Sequence, residues 1–277
     1  MEESIKALKN FKIHGLALAL TIICEFAGTK IFKLPIGSVA FFPMLYALIL
    51  GFIIGLPRLK VLSSADQTDS AYLLNLSVLL LIARYGTLVG PNFYKIINSG
   101  LALVLQEFGN IGTAIFAVPI AVLLGLEREA VGAGHSLGRE GNIALISELY
   151  GINSPEGRGV MGVYICGTVF GSIFFGIMTS VVASWNIFSV ESLAMAAGTG
   201  SASMATATIG ALQALYPEKA EIIAAYGAAS NMLTSLDGLY MSLFISIPVS
   251  NWLYKKVYRI KHGIQPATAS EQGGGKE

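Results

Sequence analysis

The chain has 277 residues, 54% of them hydrophobic and only 13% charged, with a mean hydropathy of +0.66 and a net charge of +1. A water-soluble domain carries about 25% charged residues, so this composition excludes an ordinary soluble globule and points to the lipid bilayer as a partner. The near-neutral balance gives no basis for binding nucleic acid.

Apolar runs near the roughly 20 residues that cross the hydrocarbon core predict an all-α polytopic membrane protein. Eight transmembrane helices are expected, near 12–30, 37–56, 70–90, 97–126, 131–150, 158–183, 186–215 and 220–253. Residues 1–262 form a single integral membrane domain in this reading, and the polar, Gly-rich tail 263–277 is expected to be a disordered cytoplasmic segment. The first run is span-length and lacks a small-residue cleavage site, so no cleavable signal peptide is expected. Linkers are predicted at Pro57–Asp69, at Gly151–Arg158 and at Tyr216–Lys219. Cys24 and Cys166 both lie in apolar sequence and read as small core residues, with neither a disulfide framework nor a metal site.

Lys6, Lys9 and Lys12 precede the first span, and Lys255, Lys256, Arg259 and Lys261 follow the last. The positive-inside rule puts both termini in the cytoplasm of a prokaryotic cell, which requires an even number of crossings. Eight satisfies this and keeps Arg58 and Lys60 inside, although it leaves Lys30 and Lys33 outside. Ten remains open, because 97–126 and 220–253 are each long enough to hide a bend. With eight, spans 70–150 and 157–253 are candidate inverted repeats.

Four polar stretches interrupt the apolar sequence. In the fourth span, Glu107-Phe108-Gly109-Asn110-Ile111-Gly112-Thr113 predicts a broken helix. Gly109 and Gly112 would free backbone groups, Asn110 and Thr113 add side-chain partners, and Glu107 is a costly intramembrane carboxylate. A small-residue packing seam is the bland alternative.

Between Gly132 and Asn142 lie His135, Arg139, Glu140 and Asn142. Here Arg139 offers a fork for a carboxylate and His135 titrates near neutral pH. The alternative is a cytoplasmic loop with solvated charges, continuing Glu127, Arg128 and Glu129.

The seventh span holds Gly198-Thr199-Gly200-Ser201-Ala202-Ser203, a second predicted break. A half-helix starting near Ser201 would point its positive end at an anion. Ser201 also reads as a plain N-cap. In the last span Asn231, Thr234 and Asp237 recur at helical spacing, with Asp237 the deepest acid of the second half. His14 and Glu25 in the first span have weaker claims. A shorter direct similarity relates Ile143–Tyr150 to Ile209–Tyr216, each preceded at the same distance by Gly-x-Gly. In so biased a composition, chance similarity competes with it.

No P-loop, His-Glu-x-x-His zinc motif or nucleophile elbow is present, so no enzyme is expected. No metal centre is expected either, beyond Na⁺ near Glu107, Asn110 and Asp237.

The motifs Gly-Asn-Ile-Gly-Thr (109–113), His-Ser-Leu-Gly-Arg-Glu (135–140), Ser-Pro-Glu-Gly-Arg-Gly-Val-Met-Gly-Val-Tyr (154–164), Gly-Thr-Val-Phe-Gly (167–171) and Gly-Thr-Gly-Ser-Ala-Ser-Met (198–204) resemble a family of uncharacterised prokaryotic membrane proteins. That family is grouped as domain of unknown function 3100. The resemblance runs from about residue 15 to 255 and implies no substrate. A more distant likeness is to sodium/proton antiporters, bile-acid symporters and keto-deoxygluconate permeases. It implies two broken, crossing helices in inverted repeats and, often, a homodimer. This chain is shorter than their usual ten-span pattern.

Paired breaks in opposite halves predict a transporter site at the membrane midplane. The expected function is secondary active transport of a small organic anion, a carboxylate, across the cytoplasmic membrane, with Na⁺ or H⁺ as the coupling ion. A passive channel or exporter of a small solute is the alternative, and a membrane enzyme or sensor a third class.

Overall fold

A computed structural model describes residues 7–35, 37–135 and 140–263. Among them are thirteen α-helices and one two-stranded hairpin. The chain divides into two compact units, Met1–Val104 with Thr168–Thr234, and Leu105–Gly167 with Ser235–Glu277.

The first unit opens with α1 (Phe11–Ala27), the strands β1 (Lys30–Leu34) and β2 (Gly37–Phe41), and α2 (Pro43–Gly55). The strands pair antiparallel, Lys30 opposite Phe41 and Leu34 opposite Gly37. This corrects the expectation that 37–56 is one helix. Val39 and Phe41 are β-formers, and the strand starts at Gly37, whose φ of +139° suits only glycine. A side-chain bond then anchors it, with Ser38 N–H donating to Ser184 Oγ at 2.9 Å. Helix α3 (Ser64–Val89) follows, then α4 (Phe93–Asn98). Ser63 and Asp66 form a reciprocal capping box at the start of α3.

Asp66 also ties α3 to α1. It accepts from Lys12 Nζ at 2.7 Å and Asn10 Nδ2 at 3.1 Å, while Asn10 Nδ2 reaches Asp69 at 2.8 Å. The Lys12 hydrogen bond, helped by the Ser63 backbone and by Asn10, holds the Asp66 carboxyl well below the usual carboxylate range.

The rest of this unit is α9 (Ser172–Ser184), α10 (Val190–Ala197), α11 (Ala202–Leu215) and α12 (Ala220–Met241) up to Thr234. Its main core joins Ala183, Ala194, Ile209, Leu212, Ile223 and Tyr226. Small residues let these helices close on each other: Ala207 and Ala211 are fully buried, and a side chain at Gly210 would meet the Phe42 ring at 2.9 Å.

The second unit takes α5 (Gly100–Leu123) from Leu105 onward, then α6 (Glu129–Ala133), α7 (Glu140–Tyr150) and α8 (Pro155–Cys166). It ends with a wide π-turn, Ser242–Ser246, leading into α13 (Ile247–His262). Its clusters join Val118, Val122, Val131 and Tyr254, and Ile146, Val160 and Ile247. Helices α6 and α8 touch backbone to backbone. A Cβ at Gly132 would collide with the Glu156 carbonyl, and one at Gly159 with the Glu129 carbonyl.

Several spans differ from expectation. The stretch 97–126 bends at Ser99, between α4 and α5. The first predicted break does not occur, since α5 runs unbroken through Gly109–Thr113. Each glycine costs a helix about 1 kcal/mol, less than the loss of the hydrogen bonds a break would open. The packing seam fails too, because a side chain at Gly109 or Gly112 would meet nothing within 4 Å among the described residues. The second predicted break is present, between α10 and α11. Cys24 is buried, as expected, but Cys166 is exposed.

Two helical runs among the described residues are long and apolar enough to cross a membrane, Gly100–Leu123 and Pro217–His262. The expected disordered tail lies outside the described residues apart from Gly263, which closes α13 in the left-handed conformation.

Candidate functional site

On α5, Glu107 is only 3% exposed. It is the acid that the apolar sequence had singled out, and its neighbours on the same helix grip both of its oxygens. Asn110 Nδ2 donates to Oε2 at 2.7 Å, and Gln106 Nε2 donates to Oε1. Positions 106 and 110 are one turn apart and so reach the same carboxylate. With both amide nitrogens engaged, Gln106 Oε1 and Asn110 Oδ1 are left buried without hydrogen-bond partners among the described residues. The result is a patch rich in acceptors, suited to a proton or a small cation. Thr113 is half-buried further along the helix. Gly109 and Gly112 supply no free backbone groups, because the helix is intact there.

A second group surrounds the end of α6. His135 is 2% exposed, with Nδ1 at 2.7 Å from the Val131 carbonyl. Asn142 on α7 donates to the His135 carbonyl at 2.6 Å and accepts from Ser242 Oγ at 2.9 Å. Arg139 lies outside the described residues, and Glu140 opens α7.

Next to this group is a cluster that sequence reasoning missed. Arg128 is buried and paired with buried Glu156, its Nε donating at 2.7 Å. Arg128 also donates to Asn251 Oδ1 at 2.9 Å, and Asn251 Nδ2 donates to the Tyr150 hydroxyl at 3.0 Å. The guanidinium sits over the Tyr150 and Tyr254 rings, 5.8 and 5.3 Å from their centroids. In the sequence Arg128 enters only the alternative of a cytoplasmic loop with solvated charges. The available signal was Gly132 and Gly159, each beside a charged pair of positions, which let the backbones of α6 and α8 meet.

The third group is the break at Gly198–Ser201. Gly198 closes α10 with no room for a side chain, because a Cβ would stand 2.5 Å from the Asn231 backbone nitrogen. Asn231 of α12 donates to the carbonyls of both Gly198 and Gly200, each at 2.9 Å. One amide therefore satisfies two of the acceptors that a helix end leaves open. Thr199 Oγ1 donates to the Ala196 carbonyl at 2.9 Å. Ser201 caps α11, accepting from Met204 N–H at 3.4 Å, and its hydroxyl lies 3.2 Å from that of Ser203.

Asn231 thus belongs with the glycine turn. Thr234 is buried and donates back to Ser230 of its own helix at 3.0 Å. Asp237, farther along α12, falls in the other compact unit. Its Oδ1 is buried with no hydrogen-bond partner among the described residues. No group of three or more His, Cys, Asp or Glu able to hold a metal occurs among the described residues.

Neither a curated protein nor a solved structure matches the chain significantly. A family model does, over residues 22–256, which take in all three groups. The chain belongs to the family described as proteins of unknown function, DUF3100.

Proposed function

We propose that the protein is a secondary active transporter of a prokaryotic cytoplasmic membrane, moving a small organic anion together with H⁺ or Na⁺. The observation that carries this reading is Glu107, 3% exposed on a helix long and apolar enough to span a bilayer. An ionisable group at such a position is costly and is a functional candidate by default. Gln106 and Asn110 hold both of its oxygens and leave two buried amide oxygens beside them. Carboxylate and amide oxygens are the acceptors that a proton or a dehydrated cation would need.

The broken helix pair α10–α11 supports the anion half of the proposal. The start of α11, capped by Ser201, has the polarity that favours negative charge. The coupling ion must supply the driving force, because the sequence carries no nucleotide-binding motif.

Purified protein is first screened by thermal stability against organic acids and amino acids in Na⁺ or K⁺. The stabilising solute is then followed in proteoliposomes. Wild-type protein is expected to accumulate that solute against its gradient, and Glu107→Gln to exchange it without accumulating it. Accumulation unchanged in Glu107→Gln, or stabilisation by neutral solutes alone, would overturn the proposal.

A further inference from the structure

The two helical runs long and apolar enough to cross a membrane, Gly100–Leu123 and Pro217–His262, end beside each other. Lys261 Nζ, in the last turn of α13, donates to the Val122 and Leu123 carbonyls at 2.8 and 3.3 Å and so closes the end of α5. Leu123 and Leu124 are exposed there. Helix α13 turns one face inward, with Ile247, Ser250 and Tyr254 buried. Its other face is open: Trp252 is 58% and Ile260 76% exposed, and Lys255, Lys256 and Arg259 are exposed between them. Spacings of three and four residues put Trp252, Lys255, Lys256 and Arg259 on one side of the helix. Lys256 Nζ stands over the Trp252 ring, 4.9 Å from its centroid. No ion pair or side-chain hydrogen bond engages Lys255, Lys256 or Arg259 among the described residues. No Asp or Glu occurs from Gly238 to His262, so like charges at repelling distance have no acid on their own helix to offset them. The helix dipole favours cations in the last turn, which accounts for Arg259 and Lys261 but not for Lys255 and Lys256.

We propose that this open face of α13 is a docking surface for anionic phospholipid, with Lys255, Lys256 and Arg259 holding the phosphate headgroups and Trp252 seated at the edge of the acyl layer. Large apolar side chains interleaved with unpaired cations suit a boundary where water and hydrocarbon meet. Tryptophan concentrates at that level, and long basic side chains lay their stems on apolar surface while their heads stay wet. The Arg259 guanidinium offers a fork for phosphate oxygens, and the two ammonium groups add compact charge. A free phosphate would neutralise the cations but leave Trp252, Ile260, Leu123 and Leu124 in water. A lipid covers both, its headgroup on the basic residues and its chains on the apolar ones. The negative leaflet that attracts such basic clusters beside a span is the cytoplasmic one. This surface goes beyond the transport proposal: it rests on the chain spanning a membrane, and not on what the chain moves.

The test needs no substrate. The chain has two tryptophans, so Trp185→Phe leaves Trp252 as the one reporter. The full chain is reconstituted in bilayers of phosphatidylcholine and phosphatidylglycerol, with quenching brominated chains on one lipid or the other. Brominated phosphatidylglycerol is expected to quench Trp252 more strongly. Lys255→Gln, Lys256→Gln and Arg259→Gln together should lower the relative association of phosphatidylglycerol by at least about fivefold, the effect of one basic residue at an anionic surface. The exposed hairpin pair Lys30→Gln, Lys33→Gln should leave the preference intact. Equal quenching by the two lipids, or a preference that survives the triple variant, overturns the lipid surface and leaves the basic face to an acidic protein segment. Loss of the preference on adding inorganic phosphate at constant ionic strength overturns it in favour of a free-anion site. Quenching by neither lipid overturns the membrane placement of this helix end as well. Solute flux is read separately in proteoliposomes, so the transport reading stands or falls by itself.

Discussion

The turn at Gly132–His135 and the turn at Gly198–Ser201 share their parts: a short helix, a Gly-x-Gly and an asparagine that holds a turn carbonyl. At the first, Gly132 admits the backbone of α8, and Asn142 holds the His135 carbonyl. A histidine and a buried ion pair are enclosed next to it. At the second, Gly198 admits Ser230 and Asn231 of α12, and Asn231 satisfies two carbonyls by itself. The side chains whose bonds are described there, those of Thr199, Ser201, Ser203 and Asn231, carry no charge. The same glycine device thus serves ionisable chemistry in one place and closure of a helix break in the other. What separates them is the charge left inside, not the glycines.

The largest expected effect tests that charge. Glu156→Gln leaves Arg128 buried without its carboxylate, and about 3–5 kcal/mol of stability should be lost. Glu129→Gln breaks the exposed pair with Arg158 and should cost less than about 1 kcal/mol. Equal losses in denaturation of the two variants would mean that the Arg128 pair is not the core of the first turn.

Next come the glycines. Gly132→Ala drives a methyl into a backbone carbonyl that cannot swing aside, for a loss of about 3 kcal/mol. Gly198→Ala meets the Ser230 side chain as well as the Asn231 backbone, and about 2 kcal/mol is expected. Gly109→Ala lies in open helix and should gain about 1 kcal/mol. Melting temperatures of the three variants in detergent check the order. A loss at Gly109 would restore a packed or broken helix there.

The smallest effect is a control away from both turns. The Asp66 carboxyl titrates below its unfolded value of about 4, because the folded state favours its charge. Its contribution is therefore present above about pH 4 and is lost as pH falls through the depressed folded value. Asp66→Asn should flatten the acid side of the stability profile. An unchanged acid limb would remove Asp66 from the account.

The second turn was legible in the sequence because Gly-x-Gly followed by Ser is both a helix stop and a helix start. The cluster at Gly109 and Gly112 carries the same glycines and, in Asn110 and Thr113, residues able to cap a new helix, yet α5 continues through it. Glu107 and Asn110 were legible as polar residues one turn apart, while Gln106, which holds the other oxygen, was not singled out. The Arg128–Glu156 pair was hidden by its separation of 28 residues. Nothing local in Glu127-Arg128-Glu129 distinguishes a solvated charge from an enclosed one. The hairpin was masked by hydropathy, which scores Val39 and Phe41 alike in a strand or a span.

The π-turn at Ser242–Ser246 also sets the phase of everything after it. It holds one residue more than an α-helix would place along the same path. Loss of a single codon there would restore an uninterrupted helix with α13 still in place, whereas the same loss between Ile247 and Val249 would rotate the rest of α13 by about 100° and retract it by about 1.5 Å. Asn251 and Tyr254 would swing off Arg128, and Ser250 would leave the side of Gly134. This short stretch is therefore the helix's slack, and a one-residue deletion in it should be less damaging than one between Ile247 and Val249.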